Sequence, residues 1–296
     1  TPTGSVASGV WSLGEVAEAL RDGIWPGPFS VTGGTVSTSG AYTYHTFTST
    51  GTLTVAGEGT FDYLMVAGGG GAEKSQGSGG AGAGGMRTFA SQTVADVVLA
   101  CTIGAGGAGT NQGSTPSYGN SSTINKASGG SWTNLSATGG GHGGTDAPGY
   151  YSGGGNGGAG GSGGSGGIGG GGSGVVGTGG SGNAGGYSPA EGRNGIAATG
   201  TDLNYAASGS GKGAAGTSGA PTYNPPGGAG EEWPSGSGDY YAGGGGGAPS
   251  AAGGIGGGAD FGESGDANTG GSGHGGDNNN VISSGGSGII IFRYVT

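Results

Sequence analysis

The sequence is poor in charge, cysteine, proline and long apolar runs, and each shortage closes off a class of protein. Only 8% of the 296 residues are charged, with 7 Lys plus Arg against 17 Asp plus Glu and a formal net charge of −10. No basic stripe exists to neutralise phosphates, so neither nucleic acid nor an anionic membrane is expected as a partner. The lone cysteine, Cys101, has no second thiol with which to close an intramolecular disulfide. Its apolar surroundings over residues 96–103 predict a small buried hydrophobe. No run approaches the ~18 consecutive apolar residues of a spanning helix, and no charged-then-apolar leader opens the chain, so neither a membrane span nor a secretion signal is expected. The 11 prolines and the missing Gly-X-Y register exclude a collagen triple helix.

Glycine is what fills the space: 90 of 296 residues. Together with proline it makes about a third of the chain, above the rough 25–30% at which composition alone predicts disorder. Each ordered glycine costs roughly 0.5–1 kcal/mol more backbone entropy than alanine, so an ordered fold needs stabilisation beyond an ordinary side-chain core. Two strongly patterned flanks argue for such order.

Residues 11–24 read as a helix. Ser12 is placed as N-cap, Glu15 completes a capping box, and Trp11 and Val16 can form a hydrophobic staple. Leu13, Val16, Ala17 and Leu20 share one face, Gly23 supplies the stop, and Trp25-Pro26 prevents continuation. A helix this short is marginal alone, so its apolar face needs a partner in the chain or in a neighbouring subunit. Trp11, Leu13, Val16, Leu20 and Trp25 are therefore candidate docking residues, and residues 1–30 a docking segment.

From residue 41 the period changes to two. Tyr42 and Tyr44 point opposite to Thr43, His45 and Phe47; runs at 52–55 and 61–66 follow, with turns expected at Gly51 and at 57–59. Further strands are expected at 86–89 and 97–103, with weaker ones near 122–124 and 135–137. The closing run 289–295 is the most β-prone of all and is predicted to pair into the early sheet.

Between residues 139 and 288 the period becomes three. Ala159, Ser162, Ser165 and Ile168 occupy every third position, and Val175, Thr178, Ser181, Ala184 and Tyr187 continue the spacing. A polyproline-II helix has three residues per turn and no internal hydrogen bonds, so its amides must bond to adjacent helices, which bare glycine edges allow to approach. Each such bond is worth about 1 kcal/mol net, and many together offset the glycine entropy. The predicted fold is mostly β and irregular. A small antiparallel sheet or sandwich base, about 41–138 and 285–296, carries a stack of glycine helices over about 139–288, and one short helix precedes both within a glycine-rich domain spanning 31–296.

Chemistry-bearing motifs are absent. Residues 104–109 match GxGxxG after a strand, but no helix follows, and Gly213 stands where a P-loop after Lys212 needs Ser or Thr. His45, His142 and His274 lack metal-ligand spacing, and the late acidic residues, Glu231 to Asp277, reproduce no calcium loop. No cofactor, metal or catalytic constellation is expected, and the protein is read as a non-enzyme.

The aromatics carry more information. Tyr150, Tyr151, Tyr187, Tyr205, Tyr223, Trp233, Tyr240 and Tyr241 interrupt glycine segments. Exposed rings on loops held by a rigid scaffold suit binding to glycans or protein surfaces; the same rings would also serve to cap the glycine slab.

The block 44–71, with Gly84-Gly-Met-Arg-Thr-Phe89, residues 102–109 and the closing 285–294, resembles the glycine-rich domain of tail-fibre and receptor-binding proteins of tailed bacteriophages. A related module occurs in the ectodomain of anaplastic lymphoma kinase. Residues 9–26 look like a short module of virion proteins from marine and cyanobacterial phages. The resemblance implies a virion-surface protein attached to other virion proteins through its N-terminal segment. A homotrimer, or one adhesin on a trimer, both fit. Three roles follow: an adhesin reading a host surface glycan or protein, a structural capsid or fibre component, and an extracellular filament or ice-binding slab. Ice binding calls for regular threonine arrays, whereas the every-third positions here are mixed Ala, Ser, Ile and Val.

Overall fold

The computed structural model describes residues 11–22, 29–75, 77–146, 154–169, 176–199, 206–219, 225–247, 250–276 and 281–296. The chain is mostly strand and irregular structure, with one α-helix, α1 (Leu13–Arg21), among the described residues. Its capping box forms: Glu15 N donates to Ser12 Oγ at 3.3 Å and Ser12 N to Glu15 Oε2 at 2.9 Å. Ser12 N and Ser12 Oγ, both donating to Oε2 at 2.9 Å, hold the Glu15 carboxyl below the usual range. Trp11 and Val16 are half-buried, while Leu13 and Leu20 stand 89% and 60% exposed, so the apolar face predicted for α1 is not covered by the described chain. Trp25 and the Gly23 stop lie outside the described residues.

Twelve strands follow among the described residues. The first four are β1 (Ser30–Thr32), β2 (Thr35–Ser39), β3 (Tyr42–Phe47) and β4 (Gly51–Val66). Then come β5 (Glu73–Lys74), β6 (Met86–Thr102), β7 (Thr110–Asn111), β8 (Ser122–Gly129) and β9 (Leu135–Ala137). The last are β10 (Glu231–Glu232), β11 (Tyr240–Tyr241) and β12 (Ile289–Val295). The main sheet runs β2-β3-β12-β4-β6-β8-β9, with β1 also on β4. The terminal strand does pair into the early sheet, antiparallel to both β3 and β4.

Two expectations about this sheet are corrected. The runs at 52–55 and 61–66 are one strand, and so are those at 86–89 and 97–102; glycines 57 and 59 form no turn. The β4–β6 ladder instead shifts register twice, between Val55/Glu58 and Phe61/Tyr63. Gly57, Ser91 and Asp96 take positive φ there. Each irregularity is stitched by a carboxylate: Asp96 Oδ1 accepts from Gly57 N at 2.8 Å, and Asp62 Oδ1 from Ser91 N at 2.9 Å. Bulges bend the strand that carries them, so the long ladder curls. Leu53, Val55 and Leu99 from one half thereby share a core with Tyr63, Met65 and Phe292 from the other. Cys101 is buried in that core, where burial pushes its thiol up to about 12.

Glycine segments pack on the opposite face of the sheet, and they begin earlier than residue 139. Residues 67–72 are already one. Ala67 and Gly70 donate to Gly85 and Gly82, Gly68 and Gly71 to Asn120 and Ser117, and Gly69 and Ala72 to Gly286 and Ser283. Their carbonyls accept from Gly107 and Thr110, from Gly140 and Gly143, and from Gly273. These bonds span 2.8–3.2 Å and join residues 67–72 to six neighbouring segments. The partner recurs every third residue, as three residues per turn require. Segment 79–85 repeats the rule: Gly79, Gly82 and Gly85 donate to Gly144, Gly141 and Thr138, while Gly80 and Ala83 donate to Ala207 and Ser210.

The every-third residues seen in the sequence divide: Ala159, Thr178, Ser181 and Ala184 are exposed, Tyr187 is half-buried, and Val175 lies outside the described residues. Ser162, Ser165 and Ile168 are buried, and their amides donate to Ala83, Gly80 and Gly77. Buried serines extend the network, as when Ser272 Oγ donates to Ala81 O and accepts from Gly245 N. Leu64, Val66, Met86, Ile289 and Ile291 join the lattice to the sheet, packed with Trp233, Ala83 and Ala242.

Candidate functional site

At the seam between sheet and lattice, Tyr44, Trp233 and Tyr241 come together. β10 and β11 form a small hairpin, Glu231 facing Tyr241 and Glu232 facing Tyr240, closed by Trp233 N donating to Asp239 O at 3.0 Å. Glu232 Oε1 accepts from Gly238 N at 2.7 Å across the loop, and the bonds from Gly238 and Gly236 hold its carboxyl below the usual range. Lys212 Nζ pairs with Glu231 Oε2 at 2.8 Å, tying the hairpin to the neighbouring glycine segment.

This hairpin lies over the outer face of β3 and β12, where alternation sends Tyr44, Thr46, Ile289 and Ile291. Between them runs a groove of about 440 Å³. Ile289, Ile291 and Trp233 form its floor, Tyr44 and Tyr241 its half-buried aromatic walls, and Ser37, Ser39, Ser237 and Asp239 supply polar groups. Burial, with the nearby Asp239 carboxylate and Tyr44, pushes the Tyr241 hydroxyl up to about 12, so it keeps its proton at every ordinary pH. The groove therefore offers flat rings, hydroxyls that donate and accept, and a carboxylate acceptor, within the 300–1,000 Å³ typical of ligand sites.

The aromatics predicted from sequence divide. Trp233 and Tyr241 meet in this groove, Trp233 mostly as support at 8% exposure. Tyr240, beside them on β11, is half-buried. Tyr187 sits elsewhere, its ring 3.7 Å from the Arg87 guanidinium, which also donates to Ser136 O at 2.7 Å, so it fastens a loop to β6. Tyr150, Tyr151, Tyr205 and Tyr223 lie outside the described residues. Tyr44 and Asp239 were not singled out beforehand. The signal for Tyr44 was the outward half of the 42–47 alternation; nothing marked Asp239, because only the hairpin brings it across from the sheet.

Among the described residues no group of three His, Cys, Asp or Glu converges to hold a metal ion, and no helix is long and apolar enough to cross a membrane. No curated protein and no solved structure matches the chain. A family model described as a glycine-rich domain matches residues 45–295, from the middle of β3 to the end of β12; Ser37, Ser39 and Tyr44 of the groove lie just before that stretch, and the chain belongs to that family.

Proposed function

We propose that this protein is a bacteriophage virion-surface adhesin, of tail-fibre or receptor-binding type, whose glycine lattice presents a receptor groove to the host cell surface. The observation that carries this reading is the groove itself, with Tyr44, Tyr241 and Asp239 gathered over a rigid sheet. Binding groups on a rigid scaffold bind without a large ordering cost, which a flexible glycine-rich chain would incur in full. Attachment falls to α1, whose exposed Leu13 and Leu20 are presented to another virion protein. The reading is non-enzymatic and needs no cofactor.

A second reading, a purely structural capsid or fibre component, is favoured by one observation: Trp233 and Tyr187 spend their rings on packing. Labelling of host cells by purified fluorescent protein separates the two. Tyr241→Ser and Asp239→Asn are each expected to weaken labelling tenfold or more, with circular dichroism unchanged for the exposed Asp239 variant. Wild-type protein that labels no cells, yet is stoichiometric across the capsid, would establish the structural role instead.

A further inference from the structure

A second groove of about 380 Å³ adjoins the first. Arg293 separates them. Its guanidinium lies 4.6 Å from the ring centroid of Tyr42, which lines the second groove, and 5.2 Å from that of Trp233, which floors the first. Asp62 fixes it in place, accepting from Nη2 at 2.9 Å and from Nε at 3.1 Å. Tyr42 and Tyr44 continue the contact, with centroids 6.4 Å apart. Both grooves follow β12: Ile289 and Ile291 border the first, Arg293 and Val295 the second. From Ile289 to Val295 the strand covers about 20 Å, longer than any single sugar ring.

Charge narrows the ligand further. The two grooves hold Glu58, Asp62 and Asp239 against the single guanidinium of Arg293, which is already paired with Asp62. An incoming uronate, sialate or phosphate meets like charge without a free cation, and such juxtaposition opposes binding. Hydroxyl-rich neutral rings meet aromatic faces at Tyr42, Tyr44 and Tyr241 and acceptors between them.

We propose that the two grooves form one continuous site for a linear, uncharged oligosaccharide that crosses the Arg293 rib. The proposal rests on the adhesin reading above and specifies its ligand. Each ring filled beyond the first groove adds affinity, so length dependence is its signature.

The test is binding of the full chain to an array of neutral and uronate-bearing oligosaccharides of two to six units, run beside the cell-labelling assay. Wild type is expected to hold neutral hexamers at least tenfold tighter than dimers and to ignore the uronates. Tyr42→Ala is expected to lower hexamer affinity far more than dimer affinity and so to remove the length advantage. Glu58→Lys, a change at an exposed position, admits uronate hexamers. Equal affinity for dimer and hexamer, tight uronate binding by wild type, or no bound saccharide while cells are still labelled each overturns the extended-glycan site and leaves the adhesin reading standing. Absence of both saccharide binding and cell labelling sinks the two together.

Discussion

A single methyl group is too large for the middle of the lattice. At Gly70 an added Cβ would sit 2.2 Å from the carbonyl oxygen of Gly141, and backbone on a hydrogen-bonded neighbour has no room to retreat. Overpacking of this kind costs about 1–3 kcal/mol, and here the obstacle is backbone, which places Gly70 toward the upper end. Gly70→Ala is therefore expected to lower the melting temperature sharply or leave the protein insoluble. Gly14→Ala in α1 meets nothing closer than 3.9 Å and should raise local helicity at no cost to the lattice. Equal thermal stability of the two variants would contradict the packed arrangement of residues 67–72. At this scale the sequence is only partly legible. Three-residue spacing at Ser162, Ser165 and Ile168 announces the helix type, but any glycine edge fits any other. Nothing in Gly70 itself says that its partners are Gly82 and Gly273.

Among the elements, strands β4 and β6 decide the shape of the base. Alternation marked their two ends correctly and broke at Gly57 and Glu58, which suggests a turn to any reader who sees one strand at a time. The missing information was on the other strand: Asp96, at φ 45°, accepts the Gly57 amide and lets the ladder bend without ending. Asp96→Ala should lose that bond and place a methyl-bearing residue in left-handed backbone, destabilising the fold by about 2 kcal/mol. Asp96→Asn keeps both the acceptor and tolerance of positive φ, so chemical denaturation should place it close to wild type. Two variants of the same stability would show that the bulge does not depend on the side chain. The start of α1 was legible to the residue, because capping is local: Ser12 and Glu15 are three positions apart and need no distant partner. The groove was not, since Tyr44 and Asp239 are joined only through a sheet edge and a hairpin from opposite ends of the chain.

At the scale of the molecule, lattice and loops are pinned together by a buried carboxylate. Glu73 is 1% exposed at the end of residues 67–72; it accepts from the amides of Gly113 and of Asp146, the latter at 2.6 Å. Asp146 in turn accepts from Ser75 Oγ at 2.6 Å and Gln112 Nε2 at 3.1 Å. Burial, and to a lesser degree the Asp146 carboxylate, hold the Glu73 carboxyl above its ordinary value of 4.5. The folded state thus binds this proton more tightly than the unfolded chain, and the Glu73 contribution to stability falls as pH rises from about 4.5 through the raised value. Glu73→Gln removes that titration. The lost acceptor shifts the variant by a pH-independent amount, so the slope is diagnostic: melting curves should show the variant gaining on wild type as pH climbs from about 4.5 to neutrality. Parallel curves would assign the pH dependence to other groups. Packing on this scale was foreseeable only as a class, a β base with stacked glycine helices; its six-neighbour centre at residues 67–72 lies inside the stretch whose flanking alternation reads as sheet alone.

The recurrence of each partner at every third residue gives the lattice a reading frame of its own. One residue inserted into segment 67–72 would rotate everything after it by about 120° and hand each later amide to the wrong neighbour. Three inserted residues would add one turn, about 9 Å, and leave every later amide facing its own neighbouring segment, one turn further along. Lengthening or shortening of these segments is therefore tolerated in triplets, and insertions of any other size are confined to the loops at their ends.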